Sequence, residues 1–281
     1  MAQPRTYPAG VTSWVDTEQA HLGSALDFYG GLFGWTFSEA TPPGVPFRYV
    51  IAQLDGHDVG GLGGPVTPPV GAHSGGAARW NTYVAVDDAD AMAARVERLG
   101  GAVLQLPTAA GEGGRSVVVR DPQGLELRLW EAGRRLGAQV VNVPGAWNFS
   151  DLHTDEPEAA ERFYGQAFGW VFADVGFATM VQVPGYGDHL ASTVDPDIHE
   201  RQADVKAPPG FADAIGWVVP VAPGDEPGWH VTFTVADRDE SADRVVRLGG
   251  SVLRTGDSDW TRTVVVRDPQ GAVFTASQFL G

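Results

Sequence analysis

The sequence predicts an α+β protein written twice: two tandem domains, each of two βαβββ modules whose strands form a curved sheet around a cleft. Three observations carry this. "FYGGLFGW" (28–35) returns as "FYGQAFGW" (163–170), and "RLGG" (98–101) returns at 247–250. "VVVRDPQG" (117–124) returns unchanged at 264–271. Repetition of whole motifs in the same order marks a duplicated unit. The offset between copies grows from 135 to 149 because the second half holds 14 extra residues between Trp170 and Trp229. The repeat places the first domain at 1–131, a linker at 132–145 with Gly, Pro and a basic pair, and the second domain at 146–281.

Each half divides again. A short strand (11–17) precedes a helix whose Leu22, Ala25, Leu26, Tyr29 and Phe33 share one face. Strand-like "RYVIAQLDG" and "VGGLGG" follow, then a Gly/Pro connection over 63–79. The order restarts with "WNTYVAV" (80–86). Asp87 or Asp88 is placed to cap a helix with the stripe Ala89, Met92, Ala93, Val96 and Leu99. "AVLQLP", "RSVVVRD" and "LELRLWE" supply the closing strands. In the second half, Thr154 or Asp155 is the expected cap and Pro157 suits a first turn. Ala160, Phe163, Tyr164, Ala167 and Phe168 form the helix stripe there.

Composition narrows the function. The chain has 281 residues, 43% of them apolar, and a formal net charge of −16. An acidic chain without a basic run repels phosphate backbones, so nucleic acid is not an expected partner. The absence of cysteine excludes disulfides, thiolate nucleophiles and Cys-ligated zinc. "MAQPRTYPAGVTSW" lacks the apolar run of a signal peptide, and no later stretch is apolar enough for a membrane span, so a cytoplasmic location is expected.

Strand alternation assigns faces. In "WHVTFTV", Trp229, Val231, Phe233 and Val235 share the helix-facing side, and His230, Thr232 and Thr234 the other. Leu125, Leu127 and Leu129 likewise alternate with Glu126, Arg128 and Trp130. The polar sides define the cleft lining: Trp14, Asp16, Asn81, Tyr83, Glu126, Arg128 and Trp130 in one half, and Phe149, Asp151, His153, His230, Thr232, Thr275 and Ser277 in the other.

The "FYxxxFGW" helix end, the "VxDxD…LGG" helix and the "RDPQG" turn, in order and repeated, resemble the vicinal oxygen chelate superfamily of glyoxalases, bleomycin-resistance proteins and extradiol dioxygenases. With "GAQVVNVPGAW" between halves, the chain looks most like the two-domain glyoxalase-like proteins of actinobacteria. The resemblance implies paired βαβββ modules around a cleft. It also implies, for metal-dependent members, His on the first strand, His or Glu on the fifth and Glu on the eighth. Here those positions hold Trp14, Asn81 and Arg128, then Phe149, His230 and Thr275. One His among six does not make a metal site.

The site expectation is therefore metal-independent. His230 is the candidate proton carrier and Asp151 its carboxylate partner. Trp14, Asp16, Asn81, Arg128, Trp130, Phe149, His153, Thr232 and Thr275 are candidate ligand-binding residues. Flat aromatic side chains such as Trp14 and Trp130 suit a ligand wall. Arg128 could pair with Asp16 inside the fold or anchor an anionic ligand. The expected function is binding of a small organic, aromatic metabolite, with acid–base conversion in the second domain and no cofactor. A non-catalytic antibiotic-binding protein is the first alternative. A metal-dependent lyase or dioxygenase using Asp151, His153 and His230 is the second. A homodimer is left open.

Overall fold

The computed structural model describes residues 4–67, 78–203 and 207–281. Most of the expected 63–79 connection, with His73, lies outside the described residues.

The first half comprises β1 (Thr12–Glu18), α1 (Leu22–Phe33), β2 (Thr36–Glu39), β3 (Phe47–Leu54) and β4 (His57–Pro65), then β5 (Trp80–Val86), α2 (Ala89–Arg98), β6 (Ala102–Ala109), β7 (Gly114–Arg120) and β8 (Glu126–Ala132). The second half comprises β9 (Trp147–His153), α3 (Pro157–Phe168), β10 (Val171–Asp174) and β11 (Thr179–Gln182). The extra residues follow as α4 (Tyr186–Thr193) and α5 (Ile198–Ala203), ahead of β12 (Ala214–Val219). The last module is β13 (Gly228–Thr234), α6 (Arg238–Arg247), β14 (Ser251–Asp257), β15 (Thr261–Arg267) and β16 (Val273–Phe279). Each half makes one eight-stranded mixed sheet, in the orders β2-β3-β4-β1-β5-β8-β7-β6 and β10-β11-β12-β9-β13-β16-β15-β14. The tandem βαβββ architecture is thus present in both halves.

The local signals act as their chemistry requires. Asp88 accepts the Ala91 N–H at 2.9 Å and Asp237 the Glu240 N–H at 2.8 Å, each capping its helix. The second copy of the long helix departs from expectation. Its N-cap is Glu156, with no side-chain cap of its own, and Thr154 Oγ1 instead accepts the Glu156 N–H at 3.0 Å. In "LGG", Gly100 and Gly249 have φ of 89° and 87°, where a Cβ is strained.

The chain packs as two compact units that do not follow the halves. One contains Met1–Ser13, Thr82–Gly137 and Phe149–Trp229; the other contains Trp14–Asn81, Ala138–Asn148 and His230–Gly281. Each unit therefore joins one module of the first half to one of the second. In the latter unit, Leu22, Ala25, Phe28, Tyr29 and Phe33 of α1 pack with Val231, Phe233, Val266 and Phe274. In the former, Ala160, Phe163, Tyr164 and Ala167 of α3 pack with Val84, Val119, Leu127 and Leu129. Burying one such large apolar side chain stabilises by about 1.5–3 kcal/mol. The expected linker is itself packed: Ala138 is fully buried among the α1 core residues, as is Ala146 just beyond the linker.

The repeated motifs form the clasp of each unit. Tyr29 of "FYGGLFGW" donates to Asp268 Oδ2 at 2.9 Å, and Asp268 Oδ1 accepts the Gln270 and Ala272 N–H groups of its own "DPQG" turn. Tyr164 of "FYGQAFGW" donates to Asp121 Oδ2 at 3.0 Å, and Asp121 Oδ1 accepts from Gln123 and Leu125. The Trp80 and Trp229 indoles donate to the same two phenols. The "DPQG" glutamines finish the job at the helix starts. Gln270 accepts the His21 N–H at 2.8 Å and donates to the His21 carbonyl at 3.0 Å. Gln123 accepts from Thr154 Oγ1 and donates to the Glu156 carbonyl. The start of α1 has no capping side chain of its own, and the partner module supplies the acceptor through Gln270; at α3 the partner module's Gln123 instead holds Thr154, which accepts the Glu156 N–H.

Candidate active site

The strand phase sets which side chains are free for chemistry. Trp229 packs on the helix side, its ring centre 5.6 Å from Tyr164 and 5.9 Å from Trp170. His230, next along β13, points to the opposite face, and its Nε2 lies 2.8 Å from Thr275 Oγ1 on β16. Thr232 and Thr275 sit opposite each other in the β13–β16 register, so they share His230's face. All three are half-buried.

Asp16, in the same unit as His230, is fully buried. Tyr49 donates to its Oδ2 at 3.0 Å and Asn81 Nδ2 donates to its Oδ1 at 2.8 Å. The Trp14 indole donates in turn to the Tyr49 oxygen at 3.0 Å. Trp14, Asp16 and Asn81 are thus tied into one network through Tyr49, a residue the sequence reading did not single out. Alternation along β3 was the available signal, since Phe47, Tyr49 and Ile51 share a face.

In the other unit, Arg128 Nη1 donates to the buried Tyr83 hydroxyl at 2.9 Å across the β5–β8 register. The Tyr83 and Trp130 rings meet edge to face at 6.4 Å. The Trp130 indole N–H donates to the Arg135 carbonyl at 2.8 Å, which fixes its ring.

Asp151, also in this unit, differs from its repeat mate Asp16. It lies on β9 opposite Trp217, since the register pairs Leu152 with Val218. Its Oδ1 accepts the Trp217 N–H at 3.1 Å. Phe149, Phe211 and Trp217 form a ring cluster with centres 6.2–6.5 Å apart, and the exposed Phe177 lies 5.7 Å from Trp217. Burial disfavours the charged form, and one backbone N–H only partly offsets it, so the carboxyl is pushed up to about 7. The side chain nonetheless keeps some surface open to solvent, so the proton can exchange. Phe211 and Trp217 follow the extra residues, and the first-half position matching Trp217 holds Gly61, so no repeated aromatic marked it. His153 ends β9, half-buried opposite Val219.

Among the described residues, no group of three or more His, Asp or Glu side chains could hold a metal ion. The donor set points the same way: Asp16 is committed to Tyr49 and Asn81, and a guanidinium stands at position 128. These residues do not fit a three-ligand metal centre. No helix of the described chain is long and apolar enough to cross a membrane.

Comparison with known proteins agrees with the fold. Residues 147–277 match the glyoxalase-like domain model, and residues 19–129 match that of the glyoxalase/bleomycin resistance protein/dioxygenase superfamily. CFP32 of Mycobacterium tuberculosis, provisionally named a glyoxylase, is 32% identical over 98% of this chain and 97% of its own length. The anthracycline biosynthesis protein DnrV of Streptomyces peucetius is 33% identical over 96% of this chain and 93% of its own. Among solved structures, the Mn(II)-bound glyoxalase of Novosphingobium aromaticivorans superposes with a TM-score of 0.59 at 15% identity, covering 96% of this chain and 82% of that one. The 2,3-dioxygenase LapB of Pseudomonas sp. KL28 gives 0.60 at 11% identity, covering 98% and 93%. The duplicated βαβββ modules, the motifs that clasp them and the full-length relatives make this chain a member of the vicinal oxygen chelate superfamily, of the two-domain glyoxalase-like kind found in actinobacteria.

Proposed function

We propose that this protein binds a small aromatic metabolite against Phe149, Phe211 and Trp217 and exchanges a proton with it through Asp151. The single observation that carries this reading is the Asp151 carboxyl, pushed up to about 7 beside an aromatic cluster. A group that titrates near neutrality serves as acid and base with little driving force wasted. As the carboxylate, Asp151 takes a proton from an acidic O–H or C–H of the ligand; as the acid, it returns one. Phe149 and Trp217 supply flat apolar surface, which orients an aromatic ring and keeps the carboxyl partly dry. A relative named for anthracycline biosynthesis supports an aromatic ligand. His230, held by Thr275, is a second candidate proton carrier in its own unit. Arg128 with Tyr83, and Trp14 with Asp16 and Asn81, are candidates for ligand contact in the first half.

The test is calorimetric titration with planar aromatic probes: an anthracycline, 2-naphthol and 2-methoxynaphthalene. At least one should bind, and Phe211→Ala should weaken it about 10-fold through the lost ring contact and burial. Binding that survives unchanged in Phe211→Ala and in Trp217→Ala overturns the location. Where turnover of a bound ligand is found, Asp151→Asn should lower it by about 10²–10⁴-fold. Tight binding with no conversion in any protonation state leaves a pure binding protein.

A further inference from the structure

We propose that the ligand is a hydroxyaryl compound whose phenolic O–H donates to Asp151 Oδ2, playing the part that the chain's own Tyr49 plays for Asp16. The inference rests on the preceding reading, that an aromatic ligand lies against Phe149 and Trp217.

The two halves give one experiment in two states. Asp16 and Asp151 are repeat mates, 135 residues apart on β1 and β9. In the first half, the Tyr49 hydroxyl donates to Asp16 Oδ2 and accepts from the Trp14 indole, so a phenol is bracketed by a carboxylate and an N–H. The mate of Tyr49 follows from the hairpin register. The Ala40 N–H bonds the Tyr49 carbonyl, and the Val175 N–H bonds the Ala178 carbonyl, with Ala40 and Val175 at the same 135-residue offset. Ala178 therefore stands where Tyr49 does, and it has no hydroxyl.

The seat changes together with the phenol. Asp16 lies opposite Gly61, and a Cβ on Gly61 would collide with the Tyr49 hydroxyl, so glycine is what lets the phenol reach the carboxylate. Opposite Asp151 the residue is Trp217. An indole there excludes a chain tyrosine from the seat and offers a ring face in its stead. Asp151 Oδ1 is engaged by the Trp217 N–H, and Oδ2 accepts from no described residue. A carboxylate oxygen beside an indole face favours a donor on a flat ring, which a phenol supplies. An anionic ligand would be repelled by the ionised carboxylate. The first half is thus filled by its own tyrosine, and the second is built to take a phenol from outside.

The discriminating pair is 2-naphthol and its methyl ether, 2-methoxynaphthalene, titrated calorimetrically into the full chain at about pH 8. There Asp151 is largely ionised and naphthol still carries its proton. A hydrogen bond to a charged acceptor corresponds to roughly 10-fold or more in affinity, so naphthol should bind at least that much tighter than the ether. In Asp151→Asn the amide keeps the Trp217 contact through its oxygen and turns NH₂ towards the ligand, so the preference should shrink to about 2-fold or vanish. The double variant Ala178→Tyr/Trp217→Gly rebuilds the first-half arrangement; if its circular dichroism is native, naphthol should no longer bind. Equal affinity of naphthol and ether in the wild type overturns the phenol inference and leaves the aromatic reading standing. Binding of neither probe, nor of an anthracycline, overturns both. A preference for naphthol that persists in Asp151→Asn overturns the role of Asp151 alone.

Discussion

Replacing Asp151 by Asn should change how stability depends on pH, and the size of the change follows from the site. The carboxyl titrates at about 7 in the folded protein against 3.8 in an unperturbed chain, because burial penalises the charge more than the Trp217 N–H relieves it. A folded pKa above the unfolded one means that the native state holds the proton more tightly. Stability from this group is therefore full below the unfolded value of 3.8, falls steadily as pH rises between the two values, and is wholly lost above about 7, where the carboxyl ionises inside the fold. Three units correspond to roughly 4 kcal/mol in total at about 1.4 kcal/mol per unit, of which about 2–3 kcal/mol falls between pH 5 and pH 8. Partial solvent access to the side chain lowers these figures somewhat. Asn keeps the shape and the acceptor for Trp217 but cannot ionise. Urea unfolding of both proteins at pH 5 and pH 8 measures the difference. The wild type should lose more stability than Asp151→Asn over that range, and all other carboxylates cancel in the comparison. Parallel pH dependences would show that Asp151 ionises normally, and the acid–base reading would lose its physical basis.

Three further outcomes are expected. Tyr164→Phe should cost about 1.5–3 kcal/mol in urea unfolding, because it leaves a carboxylate oxygen of the buried Asp121 without its tyrosine donor, and Tyr29→Phe should cost less, because Gln19 still donates to Asp268 Oδ2 at 2.8 Å. Gln270→Ala should cost about 1 kcal/mol through loss of the cap on α1, read as a lowered melting temperature with unchanged far-ultraviolet dichroism. Trp229→Phe should lower stability and leave ligand affinity within about 2-fold, whereas His230→Gln should leave stability nearly unchanged; the reverse result would contradict the strand phase.

The fold was largely legible because its signals are local or repeated. Alternation in "WHVTFTV" sorted Trp229 from His230 correctly, since a strand has only two faces. The stripe of α1 emerged as the buried set, with Leu26 at its margin. What repetition could not convey was the partner. "FYGGLFGW" and "RDPQG" are visible as motifs, but nothing local says that Tyr29 meets Asp268 and not Asp121. That choice depends on how distant modules pack. The site was legible in part for the same reason. Asp151 stood out by its strand phase and its copy at Asp16. The difference between the two carboxylates came from Tyr49, Ala178 and Trp217, which lie on or beside other strands and, in the last case, beyond a stretch without a repeat mate.

The clasp of Tyr29 with Asp268 bears on how the chain is made. A ribosome delivers Asp268 of the "DPQG" turn 239 positions after the Tyr29 that it receives. Until then, Leu22, Phe28, Tyr29 and Phe33 have no finished surface to close against. The unit they belong to can reach its native packing only after that turn has been made, and contacts so distant along the chain slow the search for them. Tyr164 and Asp121 are only 43 positions apart and become available midway. The α3 helix thus meets a turn already made, whereas α1 must wait for its own, exposed meanwhile to whatever the cell provides to shield it.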